Sequence, residues 1–309
     1  MSLFTTSTFA SLPSPSRPSL ELGPLELRAY GLLIALGVIA AVWLCGRMLE
    51  RYGSGTSDDA SSVAMWGVVA GIIGARLYHV ATEWSRFSDD LGAIPQVWKG
   101  GLGIPGGLLA GVLAGVWQGR RRGIAPMVLL TCAAPAVPLA QAIGRWGNWF
   151  NQELYGRPTD LPWGLEIDLV PIGYLPGTTF HPTFLYESLW NFGLVGALLV
   201  VDRRFRLGPG RLFALYLVGY GLGRFWIEGL RIDPTEVSDV AGLRWNQWVA
   251  LAAVVAGSVW FARTRSSRWP APDVLESDGP APDVLEPDGP EPEMVESADD
   301  PVGDPNRAD

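Results

Sequence analysis

From Gly123 to Gly144 the chain runs for more than twenty residues without a single charge. An α-helix rises about 1.5 Å per residue, so a run of this length matches the roughly 30 Å hydrocarbon core of a bilayer. Inside that core every backbone N–H and C=O must be satisfied within the chain, which leaves helix as the conformation for such a run. Comparable runs lie at 29–48, 61–82, 100–119, 183–201, 211–230 and 245–262. The count is seven spans, with six as the nearest alternative. The second, fifth and sixth runs are weaker by hydropathy because they contain Arg76, Glu187, and the pair Arg224 and Glu228.

Overall composition says less than its distribution. The formal net charge is −8, but the stretch from Asp273 onward holds thirteen of the 31 acidic residues and one of the 23 Lys and Arg. The rest of the chain is therefore slightly basic. Its bases sit in small clusters between apolar runs and form no stripe, so nucleic acid is not an expected partner. Cys45 and Cys132 lie inside apolar runs and read as buried small hydrophobes. With two histidines in the chain, a histidine-based metal centre is not expected. Residues 1–28 are rich in Ser and Pro without an apolar h-region, so they read as an extracytoplasmic N-terminal segment and not as a cleaved signal. Residues 263–309 contain APDVLESDGP followed by APDVLEPDGP, and this acidic Pro-rich tail is expected to be disordered.

Arginines set the expected orientation. Arg47 and Arg51 end the first span, Arg120 to Arg122 follow the third, Arg203, Arg204 and Arg206 follow the fifth, and Arg263, Arg265 and Arg268 follow the seventh. With seven spans these ends share one side, which the positive-inside bias makes cytoplasmic. The N-terminus and the segment 145–182 then face outward, and 145–182 is expected to form a small cap. The fold class expected is thus an all-α polytopic membrane protein. Its catalytic or binding domain is 29–262, and it has a cap and an acidic tail.

Charges inside spans demand a reason, since each costs about 2.5–3.5 kcal/mol at the bilayer centre on insertion scales. Arg224, Glu228 and Arg231 follow i, i+4, i+7 spacing and share one helical face. Either Arg224 and Glu228 neutralise each other while Arg231 snorkels outward, or this face lines a polar cavity for an anion. A guanidinium suits phosphate because it offers paired donors and stays charged. Arg76 is open between a structural carboxylate partner and ligand contact. Arg145 stands where the fourth span emerges, three residues before Asn148, in the polar stretch GRWGNWFNQELYG at 144–156. Several arginines at similar depth point to an anion site, and phospholipid headgroups are the most available anions there. Gly107, Gly111, Gly115 and Gly119 recur every four residues, the small-xxx-small pattern of close helix packing. The overlapping GGLGIPGG is expected to form a re-entrant or broken backbone.

The motifs GRWGNWFNQELYGRPT, HPTFLYE at 181–187 and GRFWIEGLR, with GARLYHV and LRAYG at 27–31, resemble the prolipoprotein diacylglyceryl transferase family. The resemblance covers roughly residues 25–262. It implies a multi-span bacterial plasma-membrane enzyme that needs no cofactor or metal. Such an enzyme moves the diacylglyceryl group of phosphatidylglycerol onto the thiol of the lipobox cysteine of a prolipoprotein, and glycerol phosphate leaves. By matching position, the resemblance assigns Arg145, Asn148, Glu153 and Gly156 to the family signature. Arg224 and Glu228 match a paired Arg and Glu in the penultimate span, and Tyr30 matches a tyrosine opening the first. Arg145 and Arg224 are expected to stabilise charge on the departing phosphate; Tyr30, Arg76, Asn148, Glu153, Gly156 and Arg231 are expected in substrate binding.

The chain departs from the family pattern where many members have a histidine before paired glycines; here Pro105 stands in GIPGG. An imidazole base there is impossible. A free thiol has a pKa of about 8.5, so it still needs a base or a positive field. The alternatives are Glu228, His181, and the field of Arg145 and Arg224. Thr131 stands where an acidic residue is common. Two other classes stay open: a transporter or channel for an anionic solute, and an inactive lipid-binding relative. A transporter is expected to carry matched internal repeats, and the clear repeat lies in the tail.

Overall fold

Each apolar run folds as a helix in the computed structural model, which describes residues 11–16, 19–22, 25–233 and 240–264. The acidic tail, apart from its first residues, lies outside the described residues. In chain order the elements are strands β1 (Ser19–Leu22) and β2 (Leu25–Arg28), then helices α1 (Ala29–Arg51), α2 (Ser57–Thr82), α3 (Ile104–Arg121), α4 (Pro126–Gly144), α5 (Trp146–Asn151), α6 (Thr183–Phe205), α7 (Arg211–Glu228) and α8 (Trp245–Arg263). Four stretches are long and apolar enough to cross a membrane: Ala29–Arg51, Ser57–Thr82, Pro126–Asn151 and Thr183–Phe205. Their outward faces are apolar too, as at Ile39, Met65 and Val200, which marks a solvent of hydrocarbon rather than water.

Local chemistry sets the helix ends. Thr56 and Asp59 form a reciprocal capping box at the start of α2. Pro105 and Pro126 occupy the first turns of α3 and α4, where their missing N–H has no intrahelical partner in any case. The expected all-α class needs one correction. β1 and β2 pair antiparallel, Ser19 with Arg28 and Leu22 with Leu25. The sequence SLELGPLELR explains it, because Leu alternates with polar residues at the period of a strand.

The arginine-rich helix ends do gather. One apolar cluster unites Met48 and Leu49 of α1, Ala60 of α2, Ile124, Val128 of α4, Leu198 of α6 and Leu212 of α7. Around it, Arg51 pairs with buried Asp202 at 2.6 Å and Arg122 pairs with Asp59 at 3.1 Å. Thr131, at the often-acidic family position, is fully buried and accepts from the Gly210 N–H at 2.7 Å, so it joins α4 to the start of α7. At the other ends, Leu165, Ile167, Phe180 and Phe184 form a second cluster against Trp146 and Trp149.

GGLGIPGG is broken at its first residues. Gly100 and Gly101 take positive φ in the connection, and α3 starts only at Ile104. The glycines beyond that point permit contact of backbones. A Cβ on Gly106 would lie 2.3 Å from the Tyr78 Cβ and 2.4 Å from the Gly74 carbonyl, and one on Gly111 would lie 3.0 Å from the Gly67 carbonyl. Gly115, 3.7 Å from its nearest neighbour, has ordinary room, so the close stripe is Gly106, Gly107 and Gly111. Gly106→Ala should push α2 and α3 apart and destabilise the protein by roughly 1–3 kcal/mol, the usual range for overpacking. Thermal unfolding of the detergent-solubilised variant measures this, and an unchanged midpoint would contradict the packing.

Candidate functional site

Arg145 closes α4 and opens α5, which aims its side chain across the bundle at α6. Its Nε lies 2.6 Å from Glu187 Oε2, and its Nη1 donates to Asn148 Oδ1 at 3.3 Å. From α7, Arg224 donates through Nη1 to the other Glu187 oxygen at 3.0 Å. One buried carboxylate thus spaces two guanidiniums. Arg224 Nη2 then lies 2.7 Å from Glu228 Oε2, one helical turn on.

Glu228 has no exposed surface and is surrounded by cations. Beyond Arg224 it meets Arg231 Nη1 at 3.5 Å and Arg244 Nε at 3.0 Å, and it accepts from Asn246 Nδ2 at 3.1 Å. The contacts at its Oε2 are charge contacts and not aligned hydrogen bonds. Arg231 and Arg244 continue to Asp233, at 2.7 and 3.4 Å. The result is a lattice of alternating sign, Arg145–Glu187–Arg224–Glu228–Arg231–Asp233, in which each buried charge has an opposite neighbour. Burial without such pairing costs several kcal/mol per ion.

A cavity of about 440 Å³ opens onto one face of this lattice. Arg145, Arg224 and Arg231 line it with Tyr30, Asn148 and Glu153, and Gln141, Ile34 and Ile104 are among the rest of the wall. Among the lining residues Glu153 is the one carboxylate; Asn148 Nδ2 and Asn151 Nδ2 donate to its Oε1 at 2.8 and 3.3 Å. Tyr30 is held by a close approach: a Cβ on Gly147 would fall 2.3 Å from its ring. Ile104, beside Pro105, brings the start of α3 to the same cavity.

Six of the ten residues expected in the site therefore meet at one cavity, and four stand elsewhere. Glu228 lies behind the wall. Arg76 is buried in the connection before α3, donating to the carbonyls of Ile94, Gly100, Gly101 and Ala93 at 2.7 to 2.9 Å and lying over the Phe87 ring. Its protein partner is the loop backbone and not a carboxylate. Gly156 permits a crossing of chains: its N–H donates to the His181 carbonyl at 2.9 Å, and a Cβ would meet His181 and the Leu230 carbonyl at 2.8 and 3.1 Å. His181 faces Tyr186, with Nδ1 3.1 Å from the hydroxyl. Burial first, and the Arg157 charge second, push its imidazole below the ordinary value, so it is neutral near pH 7. Arg231 also departs from the helical spacing, since α7 ends at Glu228 and Arg231 pairs in a short bridge with Gly156. Sequence spacing missed Glu187 and Arg244. Glu187 entered only as an ionisable residue lowering the hydropathy of its run and as the end of the motif HPTFLYE, with no role assigned, and no sequence signal singles out Arg244.

The family profile described as prolipoprotein diacylglyceryl transferase matches residues 18–263. Phosphatidylglycerol–prolipoprotein diacylglyceryl transferase 2 of Streptomyces coelicolor is 51% identical over 248 residues, which cover 78% of this chain and 77% of that protein. Transferase 1 of the same organism is 49% identical over 246 residues, covering 78% and 70% respectively. The Rhodococcus jostii protein of the same name is 45% identical over 297 residues, covering 89% of this chain and 80% of its own. The matched span contains every residue that lines the cavity, and the chain belongs to the prolipoprotein diacylglyceryl transferase family.

Proposed function

We propose that this chain transfers the diacylglyceryl group of phosphatidylglycerol to the lipobox cysteine thiol of prolipoproteins. Family membership supports the reaction. The observation that carries the site is that Arg145 and Arg224 share Glu187 and line one cavity. Two guanidiniums held at fixed separation suit one phosphate, with Arg231 as a third donor at the wall. The thiolate attacks the glyceryl carbon next to the phosphate. A C–S bond forms, the C–O bond breaks, and the electron pair stays on the phosphate oxygen, so glycerol phosphate leaves. Charge grows on that oxygen as the bond breaks, and the arginines stabilise it most at the transition state.

The thiol proton needs an acceptor. Neither Glu228 nor His181 lines the cavity, whereas Glu153 does. Glu153 is the group placed to take the proton, with the three guanidiniums favouring the thiolate. The surrounding fold is read as seven spans in a bacterial plasma membrane, with N-terminus and cap outside and the arginine-rich ends in the cytoplasm. The clustering of those ends supports this orientation. A transporter reading has no observation in its favour: the sequence repeat lies at 271–290, outside the described residues.

Incubating the protein with phosphatidylglycerol and a lipobox peptide should add the mass of one diacylglyceryl unit to the peptide. No gain, with an active control enzyme alongside, would sink the reading. Glu153→Gln should lower turnover by roughly 10²–10⁴-fold, the range for a general base, while His181→Gln stays near the unaltered rate. The reverse ranking would move the base to His181.

A further inference from the structure

A second cavity, of about 400 Å³, adjoins the first. Glu153 lines both, so a single side chain forms the partition between them. The second cavity differs in chemistry. Its walls include Phe150, Asn151, Ile167, Asp168 and Ser16, and they carry no Lys or Arg. An anionic headgroup that suits the three arginines of the first cavity finds only carboxylates in the second.

The partition is built rigidly. Gln152 and Leu154, on either side of Glu153, both have left-handed backbone, with φ of 52° and 60°. Neither is glycine, and such residues persist only where the surroundings over-determine them. Here the Gln152 side chain does so: its Nε2 donates to Asp168 Oδ2 at 2.8 Å, its Oε1 accepts from the Asp168 N–H at 2.7 Å, and Nε2 also reaches the Pro15 carbonyl at 3.2 Å. The far wall comes from residues 11–16. They lie extended beside 164–166, with the Leu12 N–H donating to the Gly164 carbonyl and the Glu166 N–H to the Leu12 carbonyl, both at 2.9 Å. Trp149 Nε1 fixes the strap through the Pro13 carbonyl. This strap precedes the family match, which starts at residue 18.

We infer that the second cavity seats the acceptor polypeptide just beyond its reacting cysteine, and that Asp168 and the 11–16 strap select neutral or basic side chains there. The inference rests on the transferase reading. A polypeptide whose cysteine enters the first cavity must leave it, and the second cavity lies on the other side of Glu153, the residue common to both linings. Two carboxylates on its walls repel acidic side chains and attract basic ones. The strap adds a wall that the matched family region does not contain.

Three lipobox peptides test it, identical up to the cysteine. One stops a residue later, one continues for eight residues with Lys at the third and fifth, and one carries Glu at those places. With the unaltered protein in phosphatidylglycerol micelles, the Lys peptide should show a KM lower than the Glu peptide by about tenfold, as expected for one or two charge contacts. Ser16→Lys, which adds a cation to the same wall without touching the Gln152–Asp168 pair, should abolish or invert that preference and leave the short peptide unchanged. Ser16→Trp, an exposed position on the wall, should raise KM for both long peptides alone. Equal KM values for the Lys and Glu peptides, or variants that shift short and long peptides alike, would overturn the inference. Failure of the unaltered protein to lipidate any of the three would instead overturn the transferase reading itself, and the groove assignment with it.

Discussion

Replacing Arg224 with Gln should lower diacylglyceryl transfer by roughly 10²–10³-fold, the loss typical of removing one preorganised donor at a developing oxyanion. Arg145→Gln should do the same. The argument is geometric. Both guanidiniums line the cavity, and each already spends one side on Glu187, at 2.6 and 3.0 Å. That shared carboxylate fixes their separation before any lipid arrives, so reorganisation is small when charge builds on the phosphate. Because the two act on one leaving group, the double variant should lose far less than the product of the single losses. Lysine at either position should rescue little, since an ammonium can hold Glu187 or the phosphate but not offer a planar fork to both. The peptide mass assay gives the rates. Near-normal turnover by either Gln variant would remove that arginine from the phosphate site.

Much of this site was legible because a bilayer makes charge conspicuous. Arg145, Arg224, Glu228 and Arg231 stood out against apolar runs, and the signature around Asn148 and Glu153 placed the polar end of α4. What spacing could not show was which charges face inward to one another and which face the cavity. Arg76 and Arg224 look alike in sequence, each an arginine in a run, yet one binds four loop carbonyls and the other a carboxylate at a cavity. The difference lies in long-range pairing. Glu187 is 42 residues from Arg145 and 37 from Arg224, and no local period encodes that meeting. The glycine stripe was read correctly as packing, but its phase was set by the partner helix: Gly67, Gly71 and Gly74 of α2 select Gly106, Gly107 and Gly111 as the residues in contact. The β1–β2 hairpin and the strap at 11–16 lie in a stretch that reads only as an N-terminal segment without an apolar h-region, although the alternating Leu of SLELGPLELR carries the period of a strand.

Glu228→Gln should destabilise the fold by about 3–5 kcal/mol, the cost of breaking a buried ion pair by removing one partner. Glu228 has no exposed surface and faces Arg224, Arg231 and Arg244. Without its charge, three guanidiniums converge on a fully buried neutral amide, and one of them, Arg244, does not border the cavity. Glu187→Gln should be milder, because it strands two guanidiniums and not three, and both of them, Arg145 and Arg224, border a cavity that solvent can enter. The two variants therefore separate structure from chemistry. If Glu228 acts as a counter-ion, its Gln variant should accumulate poorly in membranes and unfold at lower temperature or detergent stress. Glu187→Gln should insert normally and lose turnover through misplaced arginines. Should Glu228→Gln instead insert and unfold like the unaltered protein while losing transfer, Glu228 would have a direct part in the reaction, and the assignment of the proton acceptor to Glu153 would have to be given up.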